Sequence, residues 1–137
     1  MILADTSAWV EYDRASRSRV DLRLRALIGG DGPVAVTEPV ITEVVAGARS
    51  EEREVDLRRL LLRFPLLAFD AAVDFDAAVR IYRQCRKVGV TPRGMIDCMI
   101  ASVARRHGAS ILSADVDLSR VATIVDIDLD EASMSPG

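Results

Sequence analysis

The chain has 137 residues, half of them apolar and 28% charged, with a formal net charge of −3. Those figures describe one soluble globular domain with a core of its own and exclude a disordered segment. No apolar run reaches the roughly 20 residues of a membrane span, and the start Met1-Ile2-Leu3-Ala4-Asp5 is not a signal peptide, so a cytoplasmic location is expected.

In chain order, Ile2-Leu3-Ala4 predicts a short buried strand closed by Asp5. Thr6 and Ser7 are good N-caps for a helix carrying Trp9, Val10 and Tyr12. A second helix is predicted over 19–28, with Val20, Leu24, Leu27 and Ile28 inward, before a glycine-rich break. Val34-Ala35-Val36 predicts a second strand. Thr37 and Pro39 then open a helix over 38–48 that carries Val40, Ile41, Val44 and Val45, among which Glu43 stands out. Ser50 starts another helix to about 63, with Leu57, Leu60 and Leu61 inward. Leu66-Leu67-Ala68-Phe69 is a third strand candidate. A long helix follows over 72–87, burying Val79, Ile81, Tyr82 and Cys85 and ending near Gly89.

The next stretch organises the chain. Ile96, Ile100 and Val103 form a core stripe on a helix, with Asp97, Ala101 and Ala104 beside it and Gly108 as the stop. Ser110-Ile111-Leu112 predicts a buried strand with Asp115 and Asp117 just past its end. A helical turn over 118–121 and a last strand over 123–127 complete a domain spanning 1–129, and the tail 130–137 is expected to fray. Strands separated by helices imply a three-layer α/β/α sandwich around a short, mostly parallel sheet.

In open parallel sheets ligands bind at the carboxyl ends of the strands. Asp5 and Asp115 each follow a strand directly. Asp97 lies in the first turn of its helix and Glu43 one to two turns into another, a rise of only about 8 Å, so the four can converge. Clustered carboxylates repel unless protonated or neutralised, and hard oxygen ligands select Mg2+ or Mn2+. Taken singly, each acid has a plainer role. Asp5 could cap a helix, Glu43 could pair with an arginine, Asp97 could answer the helix dipole, and Asp115 and Asp117 could be turn chemistry. The signal is the set.

Other candidates are weaker. His107, the single histidine, stands before a helix-ending glycine and reads as a cap. Trp9 and Tyr12 read as core, and the glycines at 29, 30 and 32 lack a phosphate-cradle pattern. Cys85 and Cys98 are expected to be buried free thiols. The net charge argues mildly against non-specific nucleic-acid binding. Once Asp5, Glu43, Asp97, Asp115 and Asp117 are set aside as a metal-filled site, however, the remainder is positive, so a phosphate-bearing substrate fits. Arg14, Arg17, Arg19, Arg49, Arg53 and Arg83 could outline a groove, although solvated helix faces account for most of them.

Four segments together carry a resemblance. They are Ile2-Leu3-Ala4-Asp5-Thr6-Ser7-Ala8-Trp9-Val10-Glu11-Tyr12, Glu38-Pro39-Val40-Ile41-Thr42-Glu43-Val44-Val45-Ala46-Gly47, Arg93-Gly94-Met95-Ile96-Asp97-Cys98-Met99-Ile100-Ala101 and Ala114-Asp115-Val116-Asp117. In order and spacing they resemble the PIN-domain ribonucleases, specifically the VapC-like toxins of bacterial toxin–antitoxin pairs. The resemblance implies that Asp5, Glu43, Asp97 and Asp115 bind metal and carry catalysis. Thr6 or Ser7 would hold a ligand or water, and Asp117 would support the site. Arg93 would reach a scissile phosphate or, more plainly, pair with Asp97 one turn on. Two departures from the family pattern, Leu118 in place of an aromatic residue and Asp13 ahead of Arg14, leave the four acids untouched.

The implied activity is a Mg2+-dependent endoribonuclease, with Mn2+ as a substitute. Water would attack phosphorus in line, leaving 5′-phosphate and 3′-hydroxyl ends on a structured RNA such as a transfer RNA. The implied partners are a VapB-like antitoxin, whose C-terminal segment places a basic side chain among the acids, and a second copy of the chain. The homodimer would form through the second to fourth helices, with Leu61, Leu62 and Phe64 contributing. Two alternatives stand beside this reading. A phospho-receiver or phosphohydrolase with Asp5 as nucleophile wants a lysine near a late strand, and Lys87 lies in a helix well before one. A catalytically silent interaction module has no physical need to pack four charges together.

Overall fold

The three residues of β1 (Ile2–Ala4) form the middle of the sheet. They pair in parallel with β2 (Val34–Ala35) on one side and β3 (Ser110–Leu112) on the other, in the order β2-β1-β3. The structure, a computed structural model, describes residues 1–30 and 32–135. Leu3, Ala4, Val34, Ala35, Ile111 and Leu112 are all buried, as a parallel sheet covered on both faces requires.

Among the described residues seven helices surround the sheet: α1 (Thr6–Asp13), α2 (Arg19–Gly29), α3 (Glu38–Ala46), α4 (Glu51–Leu61), α5 (Ala71–Lys87), α6 (Met95–His107) and α7 (Val116–Ile124). Together they form the expected α/β sandwich. Five starts have a side-chain cap, whereas Thr37 before α3 makes no such bond. Ser18, Ser50 and Asp70 accept backbone N–H bonds as caps of α2, α4 and α5, and Asp5 and Asp115 cap α1 and α7. Gly108, in the left-handed region at φ 64°, stops α6 where a side chain would be strained. The core runs from Trp9 and Leu24 through Leu3, Ile111 and Leu112 to Ile81, Ile100 and Leu118.

Several expectations are corrected. The cap of α1 is Asp5, whose carboxylate accepts from the Ala8 amide at 2.8 Å, and not Thr6 or Ser7. Residues 66–69 make no strand beyond a single bridge between Val36 and Leu66. Two of their other backbone groups are taken by side chains, since Glu38 accepts from the Phe69 amide and Arg106 donates to the Ala68 carbonyl. The last strand is displaced. Leu118, Val121, Ala122 and Val125 bury at helical spacing, so α7 runs to Ile124, and Leu129 bridges Ile111 instead. On α5 the buried set is Asp74, Ala78, Ile81 and Cys85, an i, i+4, i+7, i+11 stripe that leaves Val79 exposed.

The tail, expected to fray from Asp130, packs back as far as Met134. Asp130 pairs with Arg23 at 3.0 Å, Ala132 is buried, and the Met134 amide donates to the Ser113 carbonyl. Pro136 and Gly137 lie outside the described residues. Both cysteines are buried and unpaired, as expected.

Candidate active site

Asp5 leaves β1 at its carboxyl end and is 2% exposed. One oxygen, Oδ1, accepts from the Ala8 amide and from Ser7 Oγ at 2.7 Å; the other, Oδ2, accepts from Ser113 Oγ at 2.6 Å. Burial pushes this carboxyl up to about 6 against the pull of those three bonds, and nearby Asp115 adds to the rise. A group capped this well still resists ionising.

Asp97 sits in the first turn of α6, directly behind the Gly94 cap. Its carboxyl is pushed up to about 7, first by burial, then by the negative charges of Asp115, Asp5 and Glu43, with Arg93 pulling the other way. All four acids therefore share one electrostatic site, as their positions at strand ends and helix starts predict. Glu43 reaches it from the second turn of α3, and Thr6 Oγ1 donates to its Oε1 at 2.6 Å.

Asp115 caps α7 and accepts from the Asp117 amide at 2.9 Å. Its Oδ1 also takes a hydrogen bond from Arg93 at 2.8 Å, and Arg93 Nε contacts Asp117 as well. Arg93 thus bridges the two acids after β3 and does not close onto Asp97 one turn away. Its side chain is 69% exposed, so only its guanidinium tip is anchored. Arg120 donates to Asp117 from the other side at 3.3 Å.

Ser113 is the residue that sequence reasoning missed. It is fully buried, donates to Asp5 and accepts from the Asp115 amide at 2.9 Å, so one hydroxyl ties the ends of β1 and β3 together. Ser7 does the reverse, accepting from the Ala114 amide at 2.8 Å. The signal was positional, because Ser113 is the first residue past a buried strand at the ligand-binding edge. No nucleophile competes with the acids here. Burial pushes the Cys98 thiol up to about 12, with Cys85 and Asp97 adding to the rise.

The donor set is carboxylate oxygen throughout, which suits Mg2+ or Mn2+, and a cation would favour the ionised forms of Asp5 and Asp97 that burial and neighbouring acids disfavour. Among the described residues no three such side chains stand ready as a finished cage. Glu43 is turned to Thr6 and Asp115 to Arg93, and both bonds join side chains that a rotation can free. The residue types fit the ion.

The PIN domain family matches residues 2–124. Ribonuclease VapC11 of Mycobacterium tuberculosis is 42% identical over 128 residues, covering 93% of this chain and 96% of that protein. Ribonuclease VapC32 of the same species is 32% identical over 118 residues, covering 84% and 85%. Among solved structures, VapBC2 from Rickettsia felis bound to promoter DNA aligns with a TM-score of 0.74 at 19% identity, over 95% of this chain and 98% of that one. The M. tuberculosis toxin VapC20, described as cleaving the sarcin-ricin loop, aligns at 0.67 and 18% identity over 88% and 94%. The order of the acids, their convergence at one sheet edge and these matches place the chain in the PIN-domain family, among the VapC ribonucleases.

Proposed function

We propose that the protein is a metal-dependent endoribonuclease toxin. The observation that carries this reading is the convergence of Asp5, Glu43, Asp97 and Asp115 on one edge of the sheet, close enough that burial and the other three acids together push the Asp97 carboxyl up to about 7. Asp5, Glu43, Asp97 and Asp115 hold the ion. When bound, Mg2+ supplies Lewis-acid polarisation of a phosphoryl oxygen and lowers the pKa of an attacking water. The chain's own residues do the positioning. Ser7 and Ser113 fix both oxygens of Asp5, and Thr6 aims Glu43. Arg93, exposed and tethered at its tip, turns from Asp115 to the scissile phosphate and neutralises the charge that builds there.

Products carry 5′-phosphate and 3′-hydroxyl ends. The relatives' names, ribonucleases and VapBC complexes, support RNA as substrate and a VapB-like antitoxin as partner. A structured RNA such as a transfer RNA is the class of target. A homodimer uses the exposed Leu62 and Leu66 beside Phe64, whereas Leu61 is fully buried core and is withdrawn from that surface.

The test is incubation of purified protein with labelled small RNA, with Mg2+ or Mn2+, with chelator, and as Asp97→Asn. Discrete fragments that need both metal and Asp97 are expected. Equal cleavage by Asp97→Asn, or 2′,3′-cyclic phosphate ends, would overturn the reading.

A further inference from the structure

Beside the acid cluster, a cleft of about 200 Å³ opens between the C-terminal ends of α1 and α3 and the flank of α4. Glu43 lines it, and so do Asp13, Arg14, Arg49 and Arg53, with the backbone of Gly47 and the small Ala48. The cleft therefore shares a wall residue with the catalytic acids.

Its charges are not equivalent. Arg53 is committed to Asp13 and, at 3.6 Å, to Asp56. Among the described residues Arg14 and Arg49 have no carboxylate partner, and both are exposed. Two unengaged guanidinium forks thus face the cleft next to Glu43. Planar forks of this kind match the paired oxygens of a phosphodiester. No aromatic ring lines the cleft, so it offers no platform for stacking a base.

We propose that Arg14 and Arg49 form a backbone-phosphate subsite that grips an unpaired stretch of the structured RNA beside the bond being cut. The proposal rests on the ribonuclease reading above. The subsite reads charge and spacing, not sequence, and so contributes affinity without discrimination between bases. A purely structural role has a definite alternative form. Arg14 is the C-cap of α1 and Arg49 lies just past α3, where cations favour the negative helix ends. That role moves melting temperature and leaves RNA binding alone.

The experiment uses Asp97→Asn protein and a short 5′-fluorescein oligouridylate, with fluorescence anisotropy recorded over a series of salt concentrations. Adding Arg14→Gln and Arg49→Gln is expected to weaken binding about tenfold at low salt. The slope of log affinity against log salt should shrink by about 1.4, because each single-strand phosphate contact contributes about 0.7. Arg86→Gln with Lys87→Gln, exposed on α5 and outside the cleft, is the charge-matched control and should leave the slope unchanged. If the arginine pair lowers the melting temperature, Arg49→Gln alone, in the loop after α3, is read for a drop of about 0.7.

An unchanged slope in the cleft variants overturns the proposal. So does an equal loss in the control, which means bulk charge and no subsite. Cleavage by the wild-type chain is assayed in parallel. If that chain cuts RNA and the cleft variants bind like the parent, the subsite alone fails. If it does not cut and the cleft variants still lose affinity, the ribonuclease reading fails and the phosphate site stands.

Discussion

At the scale of single residues, the site works against the fold. The Asp97 carboxyl is pushed up to about 7 by burial and by three other acids, so its ionised form costs folding energy in the metal-free protein. Asp97→Asn removes that cost and keeps the shape. It is expected to raise the melting temperature of metal-free protein at pH 8 while abolishing cleavage, and a scanning-fluorimetry series against wild type checks the first half. An equal or lower melting temperature would show that Asp97 is not the strained member. Ser113 makes the opposite case. Ser113→Ala leaves a buried Asp5 oxygen and the Asp115 amide without their partner, which should destabilise the fold by about 1–3 kcal/mol in urea unfolding. The same change removes the bond that most lowers the Asp5 carboxyl, so its titration, followed by carboxyl NMR, should move further up.

Among the elements, what the sequence made legible was whatever periodicity and termini determine. The three paired strands and the first six helices follow from apolar runs, caps and Gly108, whereas α7 read as one turn with a strand after it; the four acids stand out by their places after strands and in the first two turns of helices. The errors came where backbone groups found partners that no local pattern displays. Residues 66–69 look like a strand, but Glu38 and Arg106 occupy their backbone groups. The face of α5 was misread because an apolar Val79 outranked a charged Asp74, and it is Asp74 that is buried, against Arg106 at 2.7 Å. Burial alone would push that carboxyl up, yet the Arg106 hydrogen bonds and the Asp70 amide hold it below its usual value. Arg106→Ala strands a buried carboxylate between α5 and α6. It should cost about 3 kcal/mol, the lower end for a broken buried pair, since Arg106 keeps 32% of its side chain exposed. Chemical denaturation checks this, and a loss below 1 kcal/mol on the same scale would mean that water already screens the pair.

For the whole molecule, these opposing shifts fix how stability follows pH. The Asp5 and Asp97 carboxyls are raised to about 6 and about 7, so the folded chain keeps protons that the unfolded chain has lost. Stability of the metal-free protein should therefore fall as pH rises from about 4, where the unfolded carboxyls ionise, through those folded values, and level off above them. Asp74 acts in the other direction. Its lowered carboxyl contributes stability that is present above the unfolded value and lost as pH falls through the folded one, so the optimum lies on the acidic side of neutrality. A cation among the acids removes the reason for the decline, because it favours the ionised forms that burial disfavours. Melting curves across pH 4 to 9 should thus slope downward in chelator and flatten in Mg2+. The gap between the two should open only above about pH 6, where binding no longer has to displace protons. In Asp97→Asn the chelator curve should already be flatter and the Mg2+ effect smaller. A wild-type curve that rises through neutrality in chelator, or that ignores Mg2+ at pH 8, would mean the four acids do not act as one charged site.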